Sequence, residues 1–242
     1  SYSRPGDTRI GDIDFLPPLS TAAFGKSVYI AGSHVRNWDG KELGDAGFHD
    51  YPTITFEATT GAGDLTLLGE YQVRVYPTRY NAAGERFQGI ALSSPTMTLE
   101  GTEDTITMTI TTIPVTNHDD VVFEVYRTEG DSDVFWLDGV VTNDRDAATV
   151  TYVLSQTDAA LVVDAIVDPH APTVGGFSEL EESGPLGCYT IIAASDRLWT
   201  AGGQVPPGVV EYSKLYEVGE GVGFDSLVAG TQVIDATGGE LT

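Results

Sequence analysis

Apolar and polar residues alternate with a period of two along much of this chain, and this pattern constrains the fold more than any other. In DTITMTITT, Ile106, Met108 and Ile110 face one way and the intervening threonines the other. The pattern returns in three further segments: EYQVRVYP (70–77), VVFEVYRTEG (121–130) and ATVTYVLS (148–155). Because helical periodicity is almost absent, the sequence predicts an all-β protein.

The middle of the chain, residues 66–165, has the pattern of a β-sandwich. About seven short strands are separated by turn-forming segments rich in Gly, Asn and Asp, which is the spacing expected of such a domain. QTDAALVVDA (156–165) is the one segment predicted to be helical, with Thr157 or Ser155 as its N-cap.

The two flanking regions have a different pattern. Short strands punctuated by aromatic residues and glycines occur in 20–57 and 188–236, which is typical of β-propeller blades. We therefore predict propeller-like segments at 1–65 and 188–242. Between sandwich and second flank, residues 166–187 are rich in Gly, Pro and acidic residues and are predicted to form an extended surface linker.

One short motif is present in both flanks. KSVYIAGS (26–33) and SDRLWTAGG (195–203) align when Tyr29 is placed on Trp199. In a propeller, bulky aromatic residues at such positions fill the interface between neighbouring blades. The repeat therefore favours a structural role for both aromatic residues.

Other residues of the repeat fit the same interpretation. Gly32 and Gly202 are expected to permit a tight turn to the next strand. Arg197 either pairs with a nearby carboxylate or faces solvent. None of these roles requires chemistry at the motif.

The second flank resembles the repeating unit of β-propeller proteins found in the tails of tailed viruses. There, a strand of the type in DRLWTAGG is followed by one of the type in VEYSK and by a terminal Phe, as in FDS. The residues that carry this resemblance are Asp196, Arg197, Leu198, Trp199, Gly202, Tyr212, Ser213 and Phe224.

The middle of the chain resembles a fibronectin type III-like module, through GEYQVRVYPTRYNAAGERFQG (69–89) and VVFEVYRTEGD (121–131). Together the two resemblances imply a tail hub or nozzle-type protein in which such a module is inserted into a propeller. They imply a non-enzymatic virion component whose partners are other tail proteins and copies of itself. A propeller needs about four or more blades, and only two partial ones are visible. The resemblance therefore implies that the other blades lie outside these residues or come from other chains.

The charge balance limits the possible partners. The chain has 36 acidic and 12 basic residues, a net charge of −24, and lysine only at Lys26, Lys41 and Lys214. Direct binding to nucleic acid needs a basic patch, which this composition does not supply. A negative inner wall in a tail would instead repel DNA and let a genome slide past. No apolar run is long enough to span a bilayer, so no membrane association is predicted.

The same charge indicates the solvent in which the protein works. Mutual repulsion of the acids destabilises a compact fold unless salt screens it, and molar salt shortens the Debye length to about 3 Å. Scarce lysine and abundant aspartate are typical of proteins from halophiles or their viruses. An ordinary acidic surface protein remains the alternative.

Residues with metal or catalytic chemistry form no recognisable motif. The four histidines have no zinc-site spacing, and the single cysteine, Cys188, is predicted to be buried in an apolar strand. NHDD (117–120) and NDRD (143–146) offer oxygen ligands to Ca²⁺ or Mg²⁺, although such clusters are normally turn formers. No nucleophile elbow or phosphate-binding loop is present, so no cofactor and no enzymatic activity are predicted.

Two other classes of protein remain open. The first is a secreted or cell-surface module that binds glycans or proteins, which exposed aromatic residues clustered on one face would favour. The candidates for that face are Trp38, Trp136, Tyr80 and Tyr126. The second is an acidic hydrolase, which would require carboxylates of raised pKa in a concave pocket.

Overall fold

The computed structural model describes residues 20–48, 52–61, 63–89, 92–94, 96–113, 120–163, 182–183, 185, 187–205, 207–216, 218, 221–225 and 230–233. Contacts divide the chain into two compact units. Unit 1 comprises Ser1–Phe48, Tyr80–Phe87 and Glu182–Thr242, and unit 2 comprises His49–Arg79 and Gln88–Glu181. The second flank, 188–242, therefore belongs to unit 1, whereas the first is divided: residues 1–48 belong to unit 1 and residues 49–65 belong to unit 2.

The elements are short and almost all are strands. In chain order, the first are β1 (Thr21–Phe24), β2 (Ser27–Ile30), β3 (Arg36–Trp38), β4 (Leu43–Asp45), β5 (Ile54–Thr59), β6 (Glu70–Tyr71), β7 (Val73–Tyr80), β8 (Arg86–Gln88), β9 (Leu92–Ser93) and β10 (Met97–Thr98). They are followed by β11 (Thr105–Thr111), β12 (Val122–Thr128), β13 (Phe135–Thr142), β14 (Thr149–Leu154), α1 (Asp158–Leu161), β15 (Glu182–Ser183), β16 (Thr190–Ala194), β17 (Arg197–Ala201), β18 (Val209–Tyr212), β19 (Phe224–Asp225) and β20 (Gly230–Val233).

Unit 1 contains two four-stranded antiparallel sheets. The first, with order β1-β2-β3-β4, is called the N-sheet, and the second, with order β16-β17-β18-β20, is called the C-sheet. In the N-sheet, strands that follow one another along the chain also lie side by side; in the C-sheet the same holds except that β19 intervenes in the chain between the neighbours β18 and β20. β15 and β19 form a separate two-stranded ladder.

Each sheet of unit 1 begins with a hairpin closed by a two-residue loop. Phe24 pairs with Ser27 across the first loop, and Ala194 pairs with Arg197 across the second. The second loop, Ser195 and Asp196, has φ of +52° and +55°, the left-handed conformation of a type I′ turn. The two hairpins therefore have the same loop length and the same register.

The core of unit 1 lies between the N-sheet and the C-sheet. Its buried members are Ala22, Tyr29, Ala31, Val35, Ala46, Cys188, Ile191, Leu198, Val205 and Val222. The sheets also meet through their backbones, because the amide of Cys188 donates to the carbonyl of Gly32 (2.9 Å). The hydroxyl of Ser20 donates to the carbonyl of Ile191 and accepts from its amide, each at 3.0 Å.

A distant loop together with the strand residues at its two ends, residues 80–87, also belongs to unit 1. Its Glu85 side chain is buried and accepts hydrogen bonds from the Lys26 amide (2.8 Å), the Ser27 hydroxyl (2.7 Å) and the Asn81 amide group (2.8 Å). These three hydrogen bonds offset the cost of removing the carboxyl group from water. They fix the loop against the turn between β1 and β2.

Unit 2 is sandwich-like. It has a three-stranded antiparallel sheet of order β14-β11-β5 and a second sheet in which β13, β12 and β7 lie side by side and β9 also pairs with β7. Ile106, Met108 and Ile110 are all fully buried, as their alternation predicts. The second face of the sheet formed by β13, β12 and β7 is buried as well, by a cluster of Tyr76, Tyr126 and Phe135.

In the part of the chain that the structure describes, helix is confined to the single turn α1. Its N-cap is Thr157, whose hydroxyl accepts from the amide of Ala160 (3.0 Å), so one of the two predicted caps is confirmed. The predicted all-β class is also confirmed, and in the described part of the chain none of the sheets closes on itself. Among the same residues no helix is long and apolar enough to cross a membrane.

Candidate interaction surface

The two aromatic residues of the repeated motif occupy the same position in their hairpins. Tyr29 is the third residue of β2 and pairs with Ala22, whereas Trp199 is the third residue of β17 and pairs with Ile192. Their surroundings differ. Tyr29 is 1% exposed in the core of unit 1, whereas Trp199 is half-buried and lies outside the core cluster.

The difference arises because the two sheets contribute opposite sides to the core. Residues paired across an antiparallel sheet share a face. The N-sheet buries the face of Tyr29, whereas the C-sheet buries the face of Leu198 and Thr200, which alternates with that of Trp199. If the Tyr29 side and the equivalent Trp199 side are called the fronts of their sheets, the front of the N-sheet packs on the back of the C-sheet.

This arrangement leaves one outer face on each sheet. On the N-sheet it is a row of cross-strand partners, called here the valine face: Ala23, Val28, Trp38 and Leu43. On the C-sheet it is called the tryptophan face, and its row consists of Ile192, Trp199 and Tyr212. Val28 is 36% exposed and Ile192 is 54% exposed. Both rows are apolar and accessible to solvent.

The aromatic residues of the tryptophan face hold one another in place. The rings of Trp199 and Tyr212 are 5.1 Å apart at 43°, and the indole N–H donates to the carbonyl of Ala194 (3.0 Å). The Arg197 guanidinium lies 5.0 Å from the Tyr212 ring and donates to the carbonyl of Ser213. Arg197 thus stacks on an aromatic ring and caps a strand end.

The other motif residues support the C-sheet and its packing. The Ser213 hydroxyl is buried, accepts from the Leu198 amide (2.9 Å) and donates to the Lys214 carbonyl (2.7 Å). The Asp196 carbonyl accepts from the Tyr216 amide (2.9 Å), so the hairpin loop is tied to the chain after β18. Phe224 packs against the core of unit 1.

The two motif glycines are placed differently. Gly202 has a φ of +72°, a conformation that favours glycine, and directly follows β17. Gly32 is not among the residues with positive φ and instead forms the backbone bridge to Cys188. Gly202 thus serves a turn and Gly32 serves the junction of the two sheets.

A small polar site lies within the core of unit 1. Glu211 pairs with Thr200 on the buried side of the C-sheet, and burial raises the pKa of its carboxyl. Burial, with the nearby negative charge of Glu211, raises the pKa of the Cys188 thiol to about 11. A thiol held in this form is unreactive, so Cys188 is a packing residue, as predicted.

Unit 2 contains a cluster of buried charges that sequence reasoning missed. The guanidinium of Arg127, fully buried, donates to the Asp158 carboxylate (2.7 Å) and to the carbonyls of Thr128 (3.1 Å) and Gln156 (2.8 Å). Its Nε lies 3.5 Å from the carboxylate of Asp138, and burial raises the pKa of that carboxyl.

A β-bulge delivers Asp138 to this cluster. Val125 pairs with Gly139 but Tyr126 pairs with Leu137, so Asp138 is the extra residue of β13. The next residue, Gly139, has no side chain, and a Cβ at that position would lie only 2.1 Å from the Tyr152 hydroxyl oxygen. The period-two pattern of the sequence gives no sign of this irregularity.

The Arg127 cluster has the character of a structural tie. Its carboxylates are occupied: Asp158 also accepts from the Gly130 amide (3.1 Å) and the Thr66 hydroxyl (2.9 Å). The cluster joins β12, β13 and α1 through one cation. In the described residues, no group of three or more His, Cys, Asp or Glu side chains is arranged to hold a metal ion.

The candidate cation sites have different outcomes. Three of the four residues in 117–120 lie outside the described residues, as do His49, His118 and His170. In 143–146, Asn143 accepts from the Ile113 amide (2.9 Å) and donates to its carbonyl (3.2 Å). Asp144 accepts from the Asp146 amide (3.0 Å), which is the geometry of a turn. The side chains of Asn143 and Asp144 are therefore hydrogen-bonded to backbone groups.

The aromatic residues considered for a glycan surface are spread over both units. Tyr126 is buried, and Trp136 is half-buried with its indole N–H directed at Glu129 (3.3 Å). In unit 1, Tyr80 is 50% exposed and Trp38 belongs to the valine face. Neither unit presents all four on one face.

Comparison with protein-family models, with curated proteins and with solved structures finds no match to this chain.

Proposed function

We propose that this chain is a structural component of the tail of a tailed virus, part of a hub or nozzle, that acts by assembly and not by catalysis. The observation that carries the proposal is the front-to-back packing of the N-sheet on the C-sheet. Four-stranded antiparallel sheets stacked in this way are the units of a β-propeller. The sequence resemblance supplies the viral setting.

The motif residues support the proposal through their positions. Asp196, Arg197, Leu198 and Trp199 form one hairpin, and Tyr212 and Ser213 end the neighbouring strand. Each contributes to the turn, the core or the outer face of one sheet. Residues that carry the resemblance thus have the roles that a repeated blade requires.

Unit 2 supports the second part of the proposal, a fibronectin type III-like domain within a propeller. Its order β13-β12-β7 places the β12–β13 hairpin beside β7, as in one sheet of a sandwich. Chain segments of unit 1 precede and follow it. In the proposed tail protein this domain supplies a docking or host-attachment surface.

The acidic composition fits a tail that conducts DNA. With a net charge of −24, the protein repels phosphate, and a genome passes without binding to it. High salt in the surroundings screens the repulsion among the acids themselves. We propose on this ground that the virus infects a halophilic host.

The proposal is tested by labelling particles of the virus that encodes the chain. An antibody raised against unit 1 is applied to purified particles and located by electron microscopy. Label confined to the tail supports the function. Particles that carry no label, with the chain recovered only from the soluble fraction, would refute it and direct attention to glycan binding.

A further inference from the structure

Unit 1 carries both halves of one type of interface. Inside the unit, the Tyr29 side of the N-sheet meets the Leu198 side of the C-sheet. The outer face of the C-sheet carries Trp199, which is equivalent to Tyr29, and the outer face of the N-sheet carries Val28, which is equivalent to Leu198. The two outer faces are therefore equivalent to the two faces that meet inside the unit. We propose that the tryptophan face of one copy of this chain docks on the valine face of a second copy.

The equivalence rests on matched registers. Both hairpins have two-residue loops, so positions counted from the loop correspond one to one. The internal contact therefore serves as a template for the proposed one, with the same sides of the same kind of sheet brought together. Ile192, at 54% exposed, and Val28, at 36% exposed, then become buried.

Charge favours a second copy as the occupant. A chain with a net charge of −24 repels its own copies unless the contact surfaces avoid acids. On the tryptophan side, the described positions of β16, β17 and β18 carry no acid: Thr190, Ile192, Ala194, Arg197, Trp199, Ala201, Val210 and Tyr212. On the valine side, the one acid is Asp45, and it pairs with Arg36.

The aromatic content of the two faces points the same way. Two of the three tryptophans, Trp38 and Trp199, lie one on each outer face. Tryptophan, tyrosine and arginine are the residues that dominate binding energy at protein interfaces. The tryptophan face has all three, in Trp199, Tyr212 and Arg197.

Docking of unlike faces has a geometric consequence. Such a heterologous contact leaves one free face at each end of a dimer, so it produces a closed ring or an open fibre. The inference deepens the proposed function by naming a second copy as the partner, and it rests on that proposal. A ring of copies would supply the blades that one copy lacks.

The test uses two single variants of the whole chain and their mixture, studied by sedimentation velocity in molar salt. Val28→Glu places a negative charge on the valine face, and Ile192→Glu places one on the tryptophan face, so that each variant has one face unable to dock. We expect wild-type protein to assemble as its concentration rises and each variant alone to lose tenfold or more in affinity. Mixed together, the two variants retain one intact pair of faces and form a dimer that grows no further.

The control is Val140→Glu, since Val140 is a strand residue of unit 2 with a similar exposure, 52%. It is expected to assemble like wild type. As a second measurement that needs no variant, hydrogen exchange of wild-type β2 and β17 is expected to slow with concentration.

Two results would overturn the inference: wild-type protein that stays monomeric with exchange unchanged, or an Ile192→Glu variant that still assembles alone. The proposed function fails separately. Chains that assemble in this way but are absent from virus particles would refute the viral role and leave the self-association standing.

Discussion

Tyr29 and Trp199 occupy the same position in two equivalent hairpins, yet one is fully buried and the other lies on an outer face. Their relationship shows that the two sheets of unit 1 are stacked front to back. It also separates the contribution of each residue: Tyr29 stabilises the unit from within, whereas Trp199 is available to a partner.

Alanine substitutions should show this asymmetry. Tyr29→Ala is expected to lower the free energy of unfolding by about 3–5 kcal/mol, because it leaves a large cavity in the core. Trp199→Ala is expected to cost about 1–2 kcal/mol, from the lost stacking on Tyr212 and one hydrogen bond. Urea unfolding of dilute protein measures both, and equal losses would contradict the assigned facing.

Asp158 should make the stability of unit 2 depend on pH. Burial alone would raise the pKa of its carboxyl, but hydrogen bonds from Arg127, Gly130 and Thr66 hold that pKa below its usual value. Its contribution is therefore complete above about pH 4, the value in unfolded chains, and is lost as pH falls through the folded pKa.

Asp158→Asn removes this contribution and is expected to cost about 3 kcal/mol or more at neutral pH, because it leaves the Arg127 charge poorly compensated. Hydrogen exchange of the β12 amides reports the loss. Asp146→Asn, at an exposed turn, is the control and should change nothing. A loss that persists undiminished in acid would argue against the ion pair.

Glu211 should have the opposite pH dependence. Burial raises the pKa of its carboxyl in the folded protein, so ionisation opposes folding. The cost is present above the folded pKa and disappears as pH falls below the unfolded value of about 4.3. Glu211→Gln is therefore expected to raise the melting temperature at neutral pH and not in acid. A variant that melts below wild type at neutral pH would contradict this.

Salt should stabilise the whole chain. Screening of 36 acids against 12 basic residues removes self-repulsion, so the melting temperature is expected to rise steadily between dilute and molar NaCl. The control replaces three exposed acids by their amides: Glu57→Gln, Asp133→Asn and Asp146→Asn. Its melting temperature should rise less steeply. A wild-type protein indifferent to salt would remove the support for a halophilic setting.

The sequence predicted the strands and much of the core because burial on one face leaves a period-two record. Ile106, Met108 and Ile110 are buried, as this alternation predicts. Glu124 does not follow it: alternation in its strand predicts an exposed side chain opposite Phe123, whereas both faces of that sheet are buried. The alternation along a strand shows which residues share a face of the sheet, but it does not show whether other parts of the protein bury that face.

The Arg127 cluster and the orientation of the two sheets in unit 1 could not be predicted from the sequence for a related reason. The bulge at Asp138 and its meeting with Arg127 depend on pairing between strands, which no local motif records. Likewise, the repeat aligned Tyr29 with Trp199 but left open which side of each strand faces the core. That choice is made by packing between distant segments.

The most direct test of the assembly role is the copy number of this chain in purified virus particles, measured by quantitative mass spectrometry. We expect the chain to be present in a small, fixed number per tail, as a closed ring of copies requires. Particles that lack the chain, with the protein recovered as a free monomer, would contradict it.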